Sequence, residues 1–231
     1  GEVFDDEIVD DTIMLFDKLI SQPSVKEDFV TNSRIHFWRF TNRLAKGILS
    51  EEQLGRVNDF VNDLSQQYPD AKGMIDKNSF VMNNLMLGRK APNIAGEDEN
   101  GIKFELNDYL GKVTVLYFTG DWCGPCKGEY PFQRFMTEYF KDDPFAIVAV
   151  NSDPIEVART YKKDQGLEFR SFWDGGSTKG PIATRWNVTG WPSIYILDDK
   201  GIIRNIGARM EKIVTVARTL IYEKKRADEN K

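Results

Sequence analysis

Apolar positions change their period once along this chain, and the change divides it in two. Up to about residue 87 the period is helical. Val9, Ile13, Phe16 and Ile20 fall on one face of a helix. Ser24 and Glu27, behind Pro23, have the spacing of a capping box and predict a second helix running toward Gly47. Ser50 and Gln53 repeat that spacing, and Leu54, Val57, Val61, Leu64 and Tyr68 then lie along one stripe. A weaker helical stretch follows Pro69 and ends near Leu87, and no segment of this half reads as strand.

From Gly88 onward, short continuous apolar runs alternate with helical stretches. Residues 113–118, 145–150 and 194–197 are rich in β-branched and aromatic side chains and read as buried strands. Asp198-Asp199-Lys200-Gly201, with Ile202 and Ile203 beyond it, predicts a β-hairpin, and Asp98 to Gly101 predicts another near the start. Helical segments are expected near 124–141, 154–165 and 179–186, with a last helix over about 211–226. Strands and helices in this order, with an antiparallel hairpin near the end, give a mixed α/β sheet. The junction at Gly88-Arg89-Lys90-Ala91-Pro92 divides a small all-α domain, 1–87, from an α/β domain, 88–231.

Charge follows the same division. The 36 acidic and 31 basic side chains leave a net −5. Residues 1–87 carry 15 acidic and 9 basic groups, net −6, and residues 88–231 carry 21 and 22, net +1. A mildly acidic chain argues against a nucleic-acid partner. No apolar run approaches the ~18 residues of a membrane span. Gly1 is not a natural start, so the chain reads as trimmed, with room for a removed targeting segment, through which alone a membrane anchor could act. One histidine, His36, and two cysteines are too few for the usual four-ligand zinc site. His36 lies in a polar and aromatic helical stretch far from any serine motif, so it reads as a surface or interface residue. Asn187-Val188-Thr189 matches the glycosylation pattern by chance, since a glycan there would obstruct the Pro192 segment.

Both cysteines fall in Trp122-Cys123-Gly124-Pro125-Cys126-Lys127, after an apolar strand and at the start of a helix. A thiol there faces unpaired backbone N–H groups, which favour the nucleophilic thiolate. The two-residue spacer lets Cys126 reach back to Cys123, and Pro125 fits early in a helix because its missing N–H would be unpaired there. Half a metal site has no other half in this sequence. A structural disulfide across two residues closes a very short loop and stabilises little. The pair therefore reads as a redox-active dithiol.

These residues resemble the thioredoxin superfamily, and more closely its TlpA/ResA-like thiol-disulfide oxidoreductases (redoxin domain), over residues 88 to about 222. The resemblance rests on Gly88…Ala91-Pro92, Leu110-Gly111-Lys112 with its apolar strand, and the Cys-Gly-Pro-Cys motif. Glu129, Pro131, Gly190-Trp191-Pro192 and the Asp198…Gly201 turn complete it. It implies a thioredoxin-like fold, a central mixed β-sheet flanked by helices, behind the helical domain. It implies that Cys123 attacks and Cys126 resolves, and that Pro192 is a cis-proline facing the dithiol. The main chain beside Pro192 would pair with substrate, and Trp122, Gly124, Pro125 and Trp191 would complete the docking surface. Thioredoxins proper place an aspartate six residues before the first cysteine; here that residue is Tyr117. TlpA/ResA-like proteins place a glutamate six residues after it, which is Glu129. On a helix, three residues beyond Cys126, Glu129 would accept the proton of the resolving thiol. Pro131 should kink that helix.

Gly124-Pro125 resembles the reducing members of the superfamily, so the expected activity is reduction of protein disulfides without metal or organic cofactor. The partners implied are a disulfide-containing protein substrate and an upstream dithiol donor, and the compartment implied is extracytoplasmic, a bacterial periplasm. Two other functions compete with this one. Peroxiredoxins share the fold, but they carry a Thr three residues before the reactive cysteine and a Pro four residues earlier; here these are Gly120 and Leu116. Alternatively the helical domain is an interaction or dimerisation module tuned by the redox domain.

Overall fold

The structure is a computed structural model and describes residues 3–230. They form two compact units, one ending at Arg89 and one beginning at Lys90.

The first unit is helical. Its elements are α1 (Asp6–Ile20), α2 (Pro23–Lys26), α3 (Phe29–Asn32), α4 (Arg34–Leu44), α5 (Glu51–Gln67) and α6 (Lys72–Asn84). The α1 stripe buries Val9, Phe16 and Ile20 as its period predicts. Helix α5 opens with the expected capping box: Gln53 N–H donates to Ser50 Oγ at 3.1 Å and Ser50 N–H to Gln53 Oε1 at 2.9 Å. Its stripe buries Leu54, Val57, Val61 and Leu64. Phe16 packs on Phe37 and Phe40 at 4.8 and 4.7 Å in the centre of this core.

The second predicted helix is not continuous. Pro23 begins α2 with Gln22 as its N-cap, and Ser24 caps nothing. The chain restarts at Asp28, whose carboxylate accepts the Thr31 N–H at 3.1 Å, and again at Ser33. Side chains that bond nearby backbone offer alternatives to helix propagation, and here they break one helix into three.

The second unit contains a hairpin, β1 (Ala95–Glu97) and β2 (Lys103–Glu105), and a five-stranded sheet. The sheet comprises β3 (Val113–Thr119), β4 (Phe145–Asn151), β5 (Arg170–Trp173), β6 (Ser193–Leu197) and β7 (Ile203–Ile206), ordered β5-β4-β3-β6-β7. Strand β3 runs parallel to β4 and antiparallel to β6. Its helices are α7 (Gly124–Lys127), α8 (Tyr130–Tyr139), α9 (Ile155–Gln165), α10 (Pro181–Arg185) and α11 (Glu211–Glu229). This is the helix-flanked mixed sheet of a thioredoxin-like fold.

Every residue of β3 is buried, which explains its unbroken apolar run. Val113, Val115 and Tyr117 join a core with Met136 of α8 and Ala217 and Leu220 of α11. Alternation then sends Phe118 to the opposite face, where its ring meets Trp186 and Tyr195. The two hairpin turns share one device: Asp98 Oδ1 accepts from Asn100 and Ile102, and Asp198 Oδ1 from Lys200 and Ile202. Strand β5 lies outside the sequence-based expectations. It is a four-residue edge strand whose polar Arg170 and Ser171 hide its pattern.

Candidate active site

The end of β3 positions the dithiol. The chain leaves the sheet at Thr119, crosses Gly120-Asp121-Trp122 and enters α7 at Cys123. Cys123 is the N-cap of α7, and its Sγ accepts the Cys126 N–H at 3.2 Å. Cys123 and Cys126 form a disulfide with Cα atoms 5.2 Å apart. Both are buried, Cys123 to 4% exposure and Cys126 to 1%. Gly124 and Pro125 between them are exposed.

Antiparallel pairing brings the second element. Phe118 of β3 is in register with Ser193 of β6, so Pro192 lies beside the point where β3 turns toward the cysteines. The Trp191–Pro192 peptide bond is cis. Ser193 Oγ donates to the Gly190 carbonyl at 2.7 Å and closes the segment on itself. The Trp122 and Trp191 rings meet at 5.6 Å, with Trp122 47% exposed, and form an apolar surface. Of the residues on which the sequence placed a docking surface, Trp122 and Trp191 meet, and the β3–β6 register sets Pro192 next to the strand that leads to Cys123.

Glu129 is placed differently from the expectation. The helix does not run through it. Helix α7 ends at Lys127, the residue whose carbonyl the Pro131 ring would strike in a continuous helix, and α8 begins at Tyr130 with Pro131 in its first turn. The expected kink is therefore a break. Glu129 is the N-cap of α8; its N–H still donates to the Cys126 carbonyl at 3.0 Å. Its carboxylate is 2% exposed and faces the β7–α11 connection. There Oε2 accepts the Met210 N–H at 3.2 Å, and Oε1 lies 4.0 Å from Arg209 Nε. Burial raises the Glu129 pKa above the usual carboxylate value; the Met210 N–H and the Arg209 charge oppose that rise. Tyr117, where thioredoxins proper carry their acid, is buried beside this group, and burial followed by the Glu129 charge pushes its phenol upward.

Two contributions had no sequence signal. The buried Asp153 carboxylate accepts the Asp121 N–H with both oxygens, at 2.8 and 2.9 Å, and the Asn151 amide at 2.8 Å. It thereby fixes the loop that carries Trp122 and Cys123. Arg209 donates from Nη2 to the Pro192 carbonyl. Among the described residues, no group of three or more His, Cys, Asp or Glu side chains could hold a metal ion.

A buried disulfide between exposed flanking residues, next to a cis-proline segment, has the arrangement needed to exchange disulfides with a second molecule. Comparison with known proteins bears on that chemistry. Residues 87–206 match the AhpC/TSA family. The chain is 34% identical over 115 residues to the thiol-disulfide oxidoreductase ResA of Bacillus subtilis, a match covering 49% of this chain and 63% of that protein. It is 31% identical over 130 residues to ResA of Bacillus thuringiensis subsp. konkukian, covering 55% of this chain and 73% of that one. Among solved structures, the thioredoxin domain of a thiol-disulfide oxidoreductase from Bacteroides vulgatus superposes with a TM-score of 0.55 at 24% identity, covering 60% of this chain and 99% of that chain. That likeness establishes the fold. The family match begins at residue 87 and leaves the helical residues before it outside.

Proposed function

This chain belongs to the AhpC/TSA family as a ResA-like thiol-disulfide oxidoreductase, and on that premise we propose that it reduces protein disulfides through the Cys123–Cys126 pair. The observation that carries the reading is the closed Cys123–Cys126 disulfide at the end of β3, beside Pro192 and the Trp122–Trp191 surface. In the reduced protein the Cys123 thiolate attacks one sulfur of a substrate disulfide. A mixed disulfide forms and the first substrate sulfur leaves as a thiolate, which takes a proton from water. Cys126 then gives its proton to the Glu129 carboxylate and attacks Cys123 Sγ. The Cys123–Cys126 bond forms, the second substrate sulfur departs, and Glu129 returns the proton to it. Two electrons pass to the substrate, and an upstream dithiol must restore the reduced pair.

The main chain beside Pro192 receives the substrate strand, with Trp122, Gly124, Pro125 and Trp191 around it. We place the protein outside the cytoplasm, in a bacterial periplasm, and assign the redox chemistry to a domain over 88–231, with a helical domain over 1–87. Peroxidase chemistry fits less well. Gly120 occupies the position of the peroxidase threonine, and a Cβ there would collide with Trp122 Nε1. Even alanine would displace the indole.

The test is insulin reduction by the wild type and by Cys123→Ser, beside a titration of the reduction potential. Turnover that vanishes in Cys123→Ser, with a potential toward the reducing end of the range, is expected. A strongly oxidising potential with no reductase turnover would overturn the reading.

A further inference from the structure

The proposed reaction makes no use of Arg209, yet that residue joins its two halves. It lies between β7 and α11, and the side chain is partly exposed at 44%. Nη2 donates to the Pro192 carbonyl, and Nη1 donates to the Ala208 carbonyl at 3.2 Å. Nε lies 4.0 Å from Glu129 Oε1. The next residue, Met210, adopts φ 49°, a region that non-glycine residues rarely occupy, and from there donates its N–H to Glu129 Oε2. Of two consecutive residues, Met210 therefore hydrogen-bonds one oxygen of the buried carboxylate and Arg209 brings its charge to 4.0 Å from the other, while Arg209 also grips the segment proposed to receive substrate.

The charges around Glu129 make that contact matter. Arg209 supplies the opposing positive charge. Glu211, in the first turn of α11, is a like charge, and Tyr117 from β3 and Gln133 from α8 are buried neutral groups. Cys126, on the dithiol side, carries no charge while the disulfide is closed. An arginine can bond a carbonyl with one edge of its planar fork and keep its delocalised charge near a carboxylate from that fixed position; a lysine ammonium is a single point charge without that fork.

We propose that Arg209 is a positioning residue: anchored on the Pro192 carbonyl, its guanidinium keeps Glu129 ionised and therefore able to take the proton of Cys126. The inference rests on the reading of Glu129 as proton acceptor. Its electrostatic part can be measured without any turnover.

The experiment follows the Glu129 carboxyl by ¹³C NMR titration in the oxidised wild type, Arg209→Met and Arg209→Lys. Alongside it, insulin reduction is measured as a function of pH in the same proteins and in the Glu129→Gln background. Arg209→Met should raise the Glu129 midpoint and move the acidic limb of the rate profile the same way. On that acidic limb a tenfold tighter hold on the Glu129 proton should slow reduction about tenfold, with the alkaline plateau unchanged. Arg209→Lys should fall between wild type and Arg209→Met. In Glu129→Gln, replacing Arg209 should no longer move the limb. An unchanged Glu129 midpoint in Arg209→Met overturns the proposal. So does a rate loss equal at every pH, or an undiminished shift in the Glu129→Gln background. Absence of turnover in the wild type instead overturns the reductase reading and leaves the NMR comparison to decide the role of Arg209. A moved midpoint with an unmoved rate limb overturns Glu129 as the proton acceptor, and Arg209 with it.

Discussion

Reducing the Cys123–Cys126 bond should weaken the protein by about 2 kcal/mol without unfolding it. The two residues are three apart, so the bond closes a four-residue loop. In the chain-entropy treatment a loop of that length removes about 6 cal/mol/K from the unfolded state, or about 2 kcal/mol at 25 °C. Both cysteines are buried, and a backbone bond from the Cys126 N–H to the Cys123 carbonyl, at 3.0 Å, holds the two residues close independently of the sulfur–sulfur bond. Closing the disulfide is therefore easier in the folded state than in the unfolded one. By the thermodynamic cycle, the stability difference equals the difference in disulfide free energy between those states. About 2 kcal/mol then puts the folded couple about 40 mV below the unfolded chain, in the direction of a reductant.

One contact opposes this. The Cys126 N–H points at Cys123 Sγ, and a hydrogen bond to a thiolate contributes about 1.5–3 kcal/mol, though only to the ionised fraction of the reduced form. The sign of the measured difference decides which effect wins. The assay is equilibrium unfolding in guanidinium with and without dithiothreitol, with m compared between the two forms. A reduced form more stable than the oxidised one would refute the reasoning and mark an oxidant, whose reduced state is the stabilised one. Loss of cooperative unfolding on reduction would show instead that the bond is a structural staple.

Three further outcomes are expected. Glu129→Gln should stabilise the oxidised protein at neutral pH: burial raises the carboxyl's pKa, so its cost is absent below the unfolded value near 4.5 and grows as pH rises through the folded one. Denaturant midpoints across pH check this, and an advantage that grows toward acid contradicts it. Asp153→Ala should destabilise by about 1–3 kcal/mol, because it strips the acceptor from the Asp121 N–H and the Asn151 amide. It should also slow insulin reduction by loosening the loop before Cys123; unchanged kinetics would show that the loop holds without it. The unit from Lys90 onward has its own core and should keep its dithiol reaction when made alone. If it fails to do so while folded, the helical unit takes part in the chemistry.

What the sequence reveals here depends on how far apart the interacting residues are. The dithiol was legible because its chemistry occupies six consecutive residues. Strands β3, β4 and β6 were legible because burial turns them into apolar runs. The α5 capping box was legible because its two bonds span three residues. Errors begin where two local signals compete. Ser24-x-x-Glu27 has the letters of a capping box, but Pro23 starts the helix one residue earlier and Asp28 restarts it soon after. Pro131 announced a kink, and the outcome was a break that carries Glu129 out of the helix and turns it toward Met210. The residues that no reading of the sequence reached act over long separations. Asp153 grips a backbone 32 residues earlier, Arg209 a carbonyl 17 residues away, and Met210 a carboxylate 81 residues away. None has a period or spacing that would mark it, because the loop geometry that brings it to its partner is set by the completed sheet. The sulfurs are therefore written locally, while the groups that fix their loop and the Glu129 carboxylate are defined only once β3, β6 and β7 have paired.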